Sequence, residues 1–272
     1  MPVVGFMHAT AALDSDIVAA VRQGLRETGY VDGVNVIVEY RSAEGRYDRL
    51  PAIAADFVQR QVSVIVTGTP VAALAAKQAT TSIPIVFAVG SDPVRDGLVV
   101  SLSRPGGNIT GATFFSNLLT GKRLGLLHEL VPNARAFGGL VNPKNANAQF
   151  QINEAEQGAR SLGLPISFVS AASGMDIDKA FNEFRRQRAD ALLVLSDSFL
   201  NTQARRIAEL AIEHALPTCF AYREPVVAGG LMGYGASRID ATRQSGVYAA
   251  RILNGEKPAV CRFSSLPNSS SS

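Results

Sequence analysis

The sequence predicts an α/β protein made of two doubly wound parallel-sheet lobes joined by crossing strands, and three observations lead there. Short apolar runs alternate with helix-period patterns along nearly the whole chain. Those runs are continuous in Val, Ile and Leu, as strands covered on both faces require. The order of segments in the first half recurs in the second at an offset of about 130 residues.

"PVVGFM" is the first strand, followed by a helix over 14–29 with Ile17, Val21 and Leu25 on one face and Gly29 as its stop. "NVIVEYR" is a second strand, and 47–60 a helix that turns Leu50, Ile53, Ala54 and Phe57 inward. "VSVIVTG" is the third strand. An alanine-rich helix opens at Pro70, and "IPIVFAV" is the fourth strand. Asp92-Pro93 reads as the N-cap and first residue of a short helix that "RPGGN" stops, after which "NITGATFF" crosses out of the first lobe.

The repeat then appears. "QGLRETGY" (23–30) matches "QGARSLGL" (157–164), and "IPIVFAVGSDPVRDGLV" (83–99) matches "LPTCFAYREPVVAGGLM" (216–232), with Pro84 opposite Pro217 and Phe87-Ala88 opposite Phe220-Ala221. "VSVIVTGT" stands opposite "ADALLVLSDS". A second crossing is expected near "LMGYGAS", after which "RIDATRQSGVYAARILNG" returns as a helix docking through Ile239, Val247, Ala250 and Leu253. Lobe 1 therefore takes 1–114 plus 236–262 and lobe 2 takes 115–235, with 263–272 a disordered tail.

Composition narrows the function. The 272 residues are 47% hydrophobic and 18% charged, with a formal net charge of +3 and no dense Lys/Arg run, so no nucleic-acid partner is expected. Cys219 and Cys261 are read as two free thiols with no metal-ligand spacing. No apolar run reaches the ~18 residues of a membrane span. The start, "MPVVGFMHAT", reads at once as a strand, so an exported form would need a signal peptide that this chain does not carry. No nucleophile elbow, zincin motif, P-loop or dinucleotide fingerprint is present, which points to a binder without a cofactor rather than an enzyme.

Ligands of open α/β sheets bind outside the carboxyl ends of the strands. In the first lobe those ends supply Met7, His8, Thr67, Thr69, Pro70 and Asp92. In the second they supply Asn142, Asp197, Ser198, Tyr222, Glu224 and, after the last strand, Tyr234. The helix opening at Thr69-Pro70 points free N–H groups toward a carboxylate. Asp197 and Glu224 suit an ammonium, each charged hydrogen bond being worth about 1.5–3 kcal/mol. Both together fit a zwitterionic amino acid. Thr69 and Asp92 also serve as plain caps, whereas Glu is not a favoured cap, so Glu224 reads as a ligand contact.

"SDPVRDGLVVSLSRPGGNITG", with "GLRETGYVDGVNVIVEYRSAEGRYDRLPAIAADFV" before it and "YREPVVAGGLMGYG" after, resembles the ABC-transporter substrate-binding protein family, in its tryptophan/tyrosine-type branch with a type I periplasmic binding protein fold. The likeness runs from about Val3 to Pro258. It implies a monomeric, exported, periplasmic receptor that closes on a small molecule, with an aromatic amino acid favoured, and delivers it to a membrane permease. By position it implies that Thr69 and Ser198 meet the carboxylate, that Asp197 and Glu224 meet the ammonium, and that Asp92 and Asn142 add polar contacts. The family pattern usually continues past "GEKPA" with a strand and helix, where this chain ends "VCRFSSLPNSSSS". The alternative is the small-molecule-sensing effector domain of a regulator, which would need DNA-binding helices ahead of residue 1.

Overall fold

The computed structural model of the chain describes residues 1–10, 12, 15–222, 226, 230–260 and 264–265, and it divides into two compact units. The first comprises Met1–Phe115 and resumes at Ser237; the second is Ser116–Ala236.

The first unit runs β1 (Val3–His8), α1 (Asp16–Glu27), β2 (Ile37–Ser42), α2 (Leu50–Gln59), β3 (Val64–Thr67), α3 (Pro70–Ala79), β4 (Ile85–Val89) and β5 (Ile109–Thr113). The second runs α4 (Thr120–Leu130), β6 (Phe137–Val141), α5 (Ala148–Leu162), β7 (Ile166–Ser170), α6 (Gly174–Arg186), β8 (Ala191–Val194), α7 (Ser198–Thr202), α8 (Ala204–Glu213), β9 (Thr218–Phe220) and β10 (Met232–Gly233). The chain returns to the first unit with α9 (Arg238–Leu253) and β11 (Ser264–Ser265).

Strand order is β2-β1-β3-β4-β5-β11 in one sheet and β7-β6-β8-β9-β10 in the other, and all the pairings are parallel. The first five strands of each sheet thus share one order, as the sequence repeat predicts. Both faces of the second sheet are covered. Leu192 and Val194 of β8 pack with Phe181, Phe184 and Ile207, whereas Ala191 and Leu193 pack with Leu124, Leu127 and Ala155. Strands enclosed in this way have no polar face, and their unbroken apolar runs follow.

The matching residues do matching work. The Pro84 carbonyl accepts from Ile65 N–H at 2.8 Å, and the Pro217 carbonyl accepts from Leu192 N–H at 2.8 Å. Phe57 lies over Gly5 of β1, and Phe184 lies over Gly138 of β6. Gly24 of α1 meets Gly246 of α9, where a Cβ on Gly246 would stand 2.3 Å from the Val21 carbonyl oxygen. Gly158 of α5 meets Gly121 of α4 in the same way. Each unit therefore packs the helix after its first strand, backbone to backbone, on the helix that follows a crossing.

Three expectations are corrected. The α9 face that docks is Ala241, Ser245, Gly246, Ala249 and Ile252 with Ala250, while Ile239, Val247 and Leu253 stay half-buried. The glycine contact brings the helices too close for the branched stripe to be the seam. Asp92 opens a turn rather than a helix: Leu98 N–H closes on the Pro93 carbonyl, and Gly97, at φ 70°, ends the winding after one turn. Within the expected tail, Ser264–Ser265 pair with Ala112 and Thr113 of β5, because the outer edge of β5 offers unpaired backbone groups. The rest of the stretch 263–272 lies outside the described residues. The helix expected over 14–29 spans Asp16–Glu27.

Candidate functional site

The carboxyl ends of the strands gather polar side chains in each unit. In the first, His8 ends β1 and is 4% exposed. Its Nδ1 accepts from Thr10 N–H at 3.1 Å, which leaves the ring proton on Nε2. Burial, and then the positive charge of Arg238, push its pKa down to about 3, so the ring is neutral at physiological pH. The ring lies on Gly68, where a Cβ would stand 2.3 Å from Cδ2. Thr67 ends β3 fully buried, and its Oγ1 has no hydrogen-bond partner. Thr69 caps α3, accepting from Ala72 N–H at 3.4 Å, with Pro70 as the first helical residue. Asp92 Oδ1 accepts from Val94 N–H at 2.9 Å and caps its turn. Met7 is enclosed in the core with Phe57 and Ile65, since every residue of β1 after Val3 is covered.

The second unit is more tightly wired. Asp197 follows β8 and caps α7, its Oδ1 accepting from Leu200 N–H at 2.9 Å and from Asn142 Nδ2 at 3.0 Å. Asn142 Oδ1 accepts from Lys144 N–H at 3.0 Å, which fixes the orientation of the amide. Asp197 is 6% exposed, and burial raises its pKa, only partly opposed by the hydrogen bonds from Leu200 and Asn142. No cation forms a salt bridge with it among the described residues. Ser198 begins α7 half-buried. Tyr222 brings its hydroxyl to 2.6 Å from Ser196 Oγ. A cavity of about 10 Å³, room for one water, lies among Asp197, Leu200, Asn201, Phe220 and Tyr222. Tyr234 follows β10, with the Lys122 ammonium 4.9 Å from its ring centre. Glu224 and Cys261 lie outside the described residues; Cys219 is buried and free, its thiol pushed up to about 12 by burial.

Three residues were not singled out from the sequence. Gln151 of α5 grips the Ser196 backbone from both sides, accepting from its N–H at 2.7 Å and donating to its carbonyl at 2.9 Å. Ser116 donates to Ser196 Oγ at 3.2 Å. Arg123 is fully buried beneath Ser116. A signal existed for two of them: Gln151 shares the i, i+4 stripe of Ala155 and Ala159, and Arg123 sits in the buried stripe of Thr120, Leu124 and Leu127. A polar side chain in an apolar stripe marks a polar job inside.

Among the described residues no cluster of His, Cys, Asp and Glu is arranged to hold a metal, and no helix is long and apolar enough to cross a membrane. What the geometry offers is a buried carboxylate, an orphan hydroxyl, a helix N-terminus and a tyrosine ring.

Comparison with known proteins gives a consistent picture. The family model described as ABC transporter substrate binding protein matches residues 6–271. A tyrosine-binding protein of Clostridioides difficile is 26% identical over 234 residues, which is 86% of this chain and 67% of that protein. The crystal structure of a conserved domain protein from Vibrio cholerae superposes with a TM-score of 0.89 at 27% identity, covering 99% of this chain and 90% of that one. An ABC domain from Streptococcus pneumoniae, solved in complex with L-Trp, shares the fold with a TM-score of 0.87 at 23% identity, again over 99% and 90% of the two chains.

Proposed function

Because the chain belongs to the ABC transporter substrate-binding protein family, we propose that it is an extracytoplasmic receptor that binds a free aromatic amino acid and passes it, chemically unchanged, to a membrane permease. The observation that carries the amino-acid reading is Asp197. It is a buried carboxylate whose hydrogen bonds come from neutral donors and whose ionised form lacks a counter-charge among the described residues. A buried charge is costly until it is paired. A ligand ammonium supplies the missing charge, with Glu224 as its second partner.

The first unit carries a place suited to a carboxylate. The Thr67 hydroxyl is buried without a partner, and α3 opens beside it at Thr69-Pro70 with its positive dipole end. His8 is held neutral, so it adds a hydrogen-bonding ring and no charge. Tyr222 and Tyr234 offer ring surface for the aromatic side chain. Asn142 orients Asp197, Ser198 gives a further hydroxyl, and Asp92 stays committed to its turn.

A receptor of this kind works by bending where the chain crosses between its units, at Phe115–Ser116 and Ala236–Ser237. Only a ligand that prefers the closed form by about 5.5 kcal/mol swings the equilibrium from nearly all open to nearly all closed. Contacts made only in the closed form supply that preference; one surface ion pair does not. The likeness of the tyrosine-binding protein and of the L-Trp complex supports an aromatic solute. The test is calorimetric titration of the protein with tryptophan, tyrosine and phenylalanine. Binding of at least one is expected; no heat and no thermal shift with any of them would refute the aromatic reading.

A further inference from the structure

Arg123 belongs to none of the residue sets discussed for the solute, and it forms no ion pair among the described residues. A guanidinium has five donors and no acceptor, so its partners define its place. Nη1 donates to the Ser116 carbonyl at 3.0 Å, to Ser116 Oγ at 3.5 Å and to the Tyr234 carbonyl at 3.5 Å, and Nη2 donates to Thr120 Oγ1 at 3.1 Å. All of these acceptors are neutral. Nε has no partner, and burial lowers the pKa of the group. Enclosing a guanidinium without a carboxylate is unfavourable, so its presence calls for a reason in what it connects.

What it connects is specific. Ser116 is the first residue of the second unit, and Tyr234 lies two residues before its last, Ala236. One side chain thus binds the backbone of both crossing segments at their ends in that unit. Phe115, next to Ser116, has φ 43°, a conformation uncommon for a bulky residue. From Ser116 Oγ the hydrogen bonds continue to Ser196 Oγ and the Tyr222 hydroxyl, beside Asp197.

We propose that Arg123 is a positioning residue for solute binding: it locks the two crossing segments to one another within the second unit and conveys to both any shift of the Ser196–Tyr222 pair. The lock is independent of what the solute is. The conveyance deepens the solute-binding reading and rests on it.

The lock is tested on the ligand-free full chain by hydrogen exchange of the amides in 116–120 and 230–236, comparing wild type with Arg123→Lys, Arg123→Met and Ser116→Ala. Lysine and methionine each lose the two-carbonyl grip, so protection is expected to fall at least about tenfold in both segments together, with β6 and β8 unchanged. Ser116→Ala keeps the Ser116 carbonyl and keeps protection. Loss in one segment alone, in neither, or throughout the unit in proportion to global stability would overturn the lock. Should Arg123→Met fail to fold, Arg123→Lys decides the same question. Conveyance is tested by titrating L-tryptophan and L-tyrosine into wild type and Ser116→Ala. About tenfold weaker binding with an unchanged melting point supports it, and equal affinity overturns it. A wild type that binds neither amino acid overturns the conveyance and the amino-acid reading together, and leaves the exchange result to decide the lock.

Discussion

Replacing His8 with Asn isolates the most strongly perturbed titration of the first unit. The folded protein holds the ring neutral, with a pKa of about 3 against 6.5 for the unperturbed group. The unfolded chain binds a proton near pH 6.5 that the folded chain refuses. The stability owed to the neutral ring is therefore fully present above about pH 6.5 and is lost as the pH falls from there toward about 3. Stability falls with each pH unit inside that window, so acidifying from about pH 6.5 to about pH 4.5 removes roughly 2–3 kcal/mol through His8 alone. Urea unfolding at the two pH values reads this directly. Asn offers an acceptor to Thr10 N–H but does not protonate. His8→Asn is expected to be less stable at the higher pH, through lost packing on Gly68 and Phe6. Its loss on acidification should be smaller than that of wild type by about 2–3 kcal/mol. Equal losses in the two proteins would show that the ring is not kept neutral by burial.

Other outcomes follow from the same structure. Asp197→Asn is expected to weaken amino-acid binding by about 1.5–3 kcal/mol, or roughly tenfold to a hundredfold, as titration calorimetry would show. Because the pKa of Asp197 is raised, ammonium binding displaces a proton from it at low pH, so wild-type affinity rises with pH through that pKa and the Asn variant loses this dependence. Gly246→Ala puts a Cβ 2.3 Å from the Val21 carbonyl oxygen, and α1 and α9 must separate. A loss of about 2 kcal/mol or more is expected in denaturant unfolding. Gly125→Ala, in the middle of α4 with nothing within 4 Å of the new methyl, is expected to gain about 0.5–1 kcal/mol. The two alanines should differ in sign, and like signs would discredit the helix-crossing geometry.

At Asp92 the local signals stop short of the outcome. Asp-Pro opens a turn and a helix alike, and the difference lies at Gly97, whose left-handed φ ends the winding. For α9 the hydrophobic stripe suggested Ile239, Val247 and Leu253, yet the seam is set by Gly24 against Gly246, and a glycine has no side chain to signal a contact. The caps at Thr69 and Asp92 were legible because a cap is a local bond, made within three residues. The partners of Gln151 and Arg123 were not, since they lie 45 and as many as 111 residues away.

By itself the sequence determined the two-fold plan. Unbroken apolar runs specify strands covered on both faces, helical stripes specify the covers, and a repeated order of segments specifies a repeated topology. These are patterns of local period, and they survive without knowledge of any neighbour. Only the tertiary structure decided which polar groups are buried with no charge to answer them. Burial is a property of everything that surrounds an atom, so the isolation of Asp197, the neutrality of His8 and the position of Arg123 at both crossing segments exist only once distant parts of the chain have closed around them.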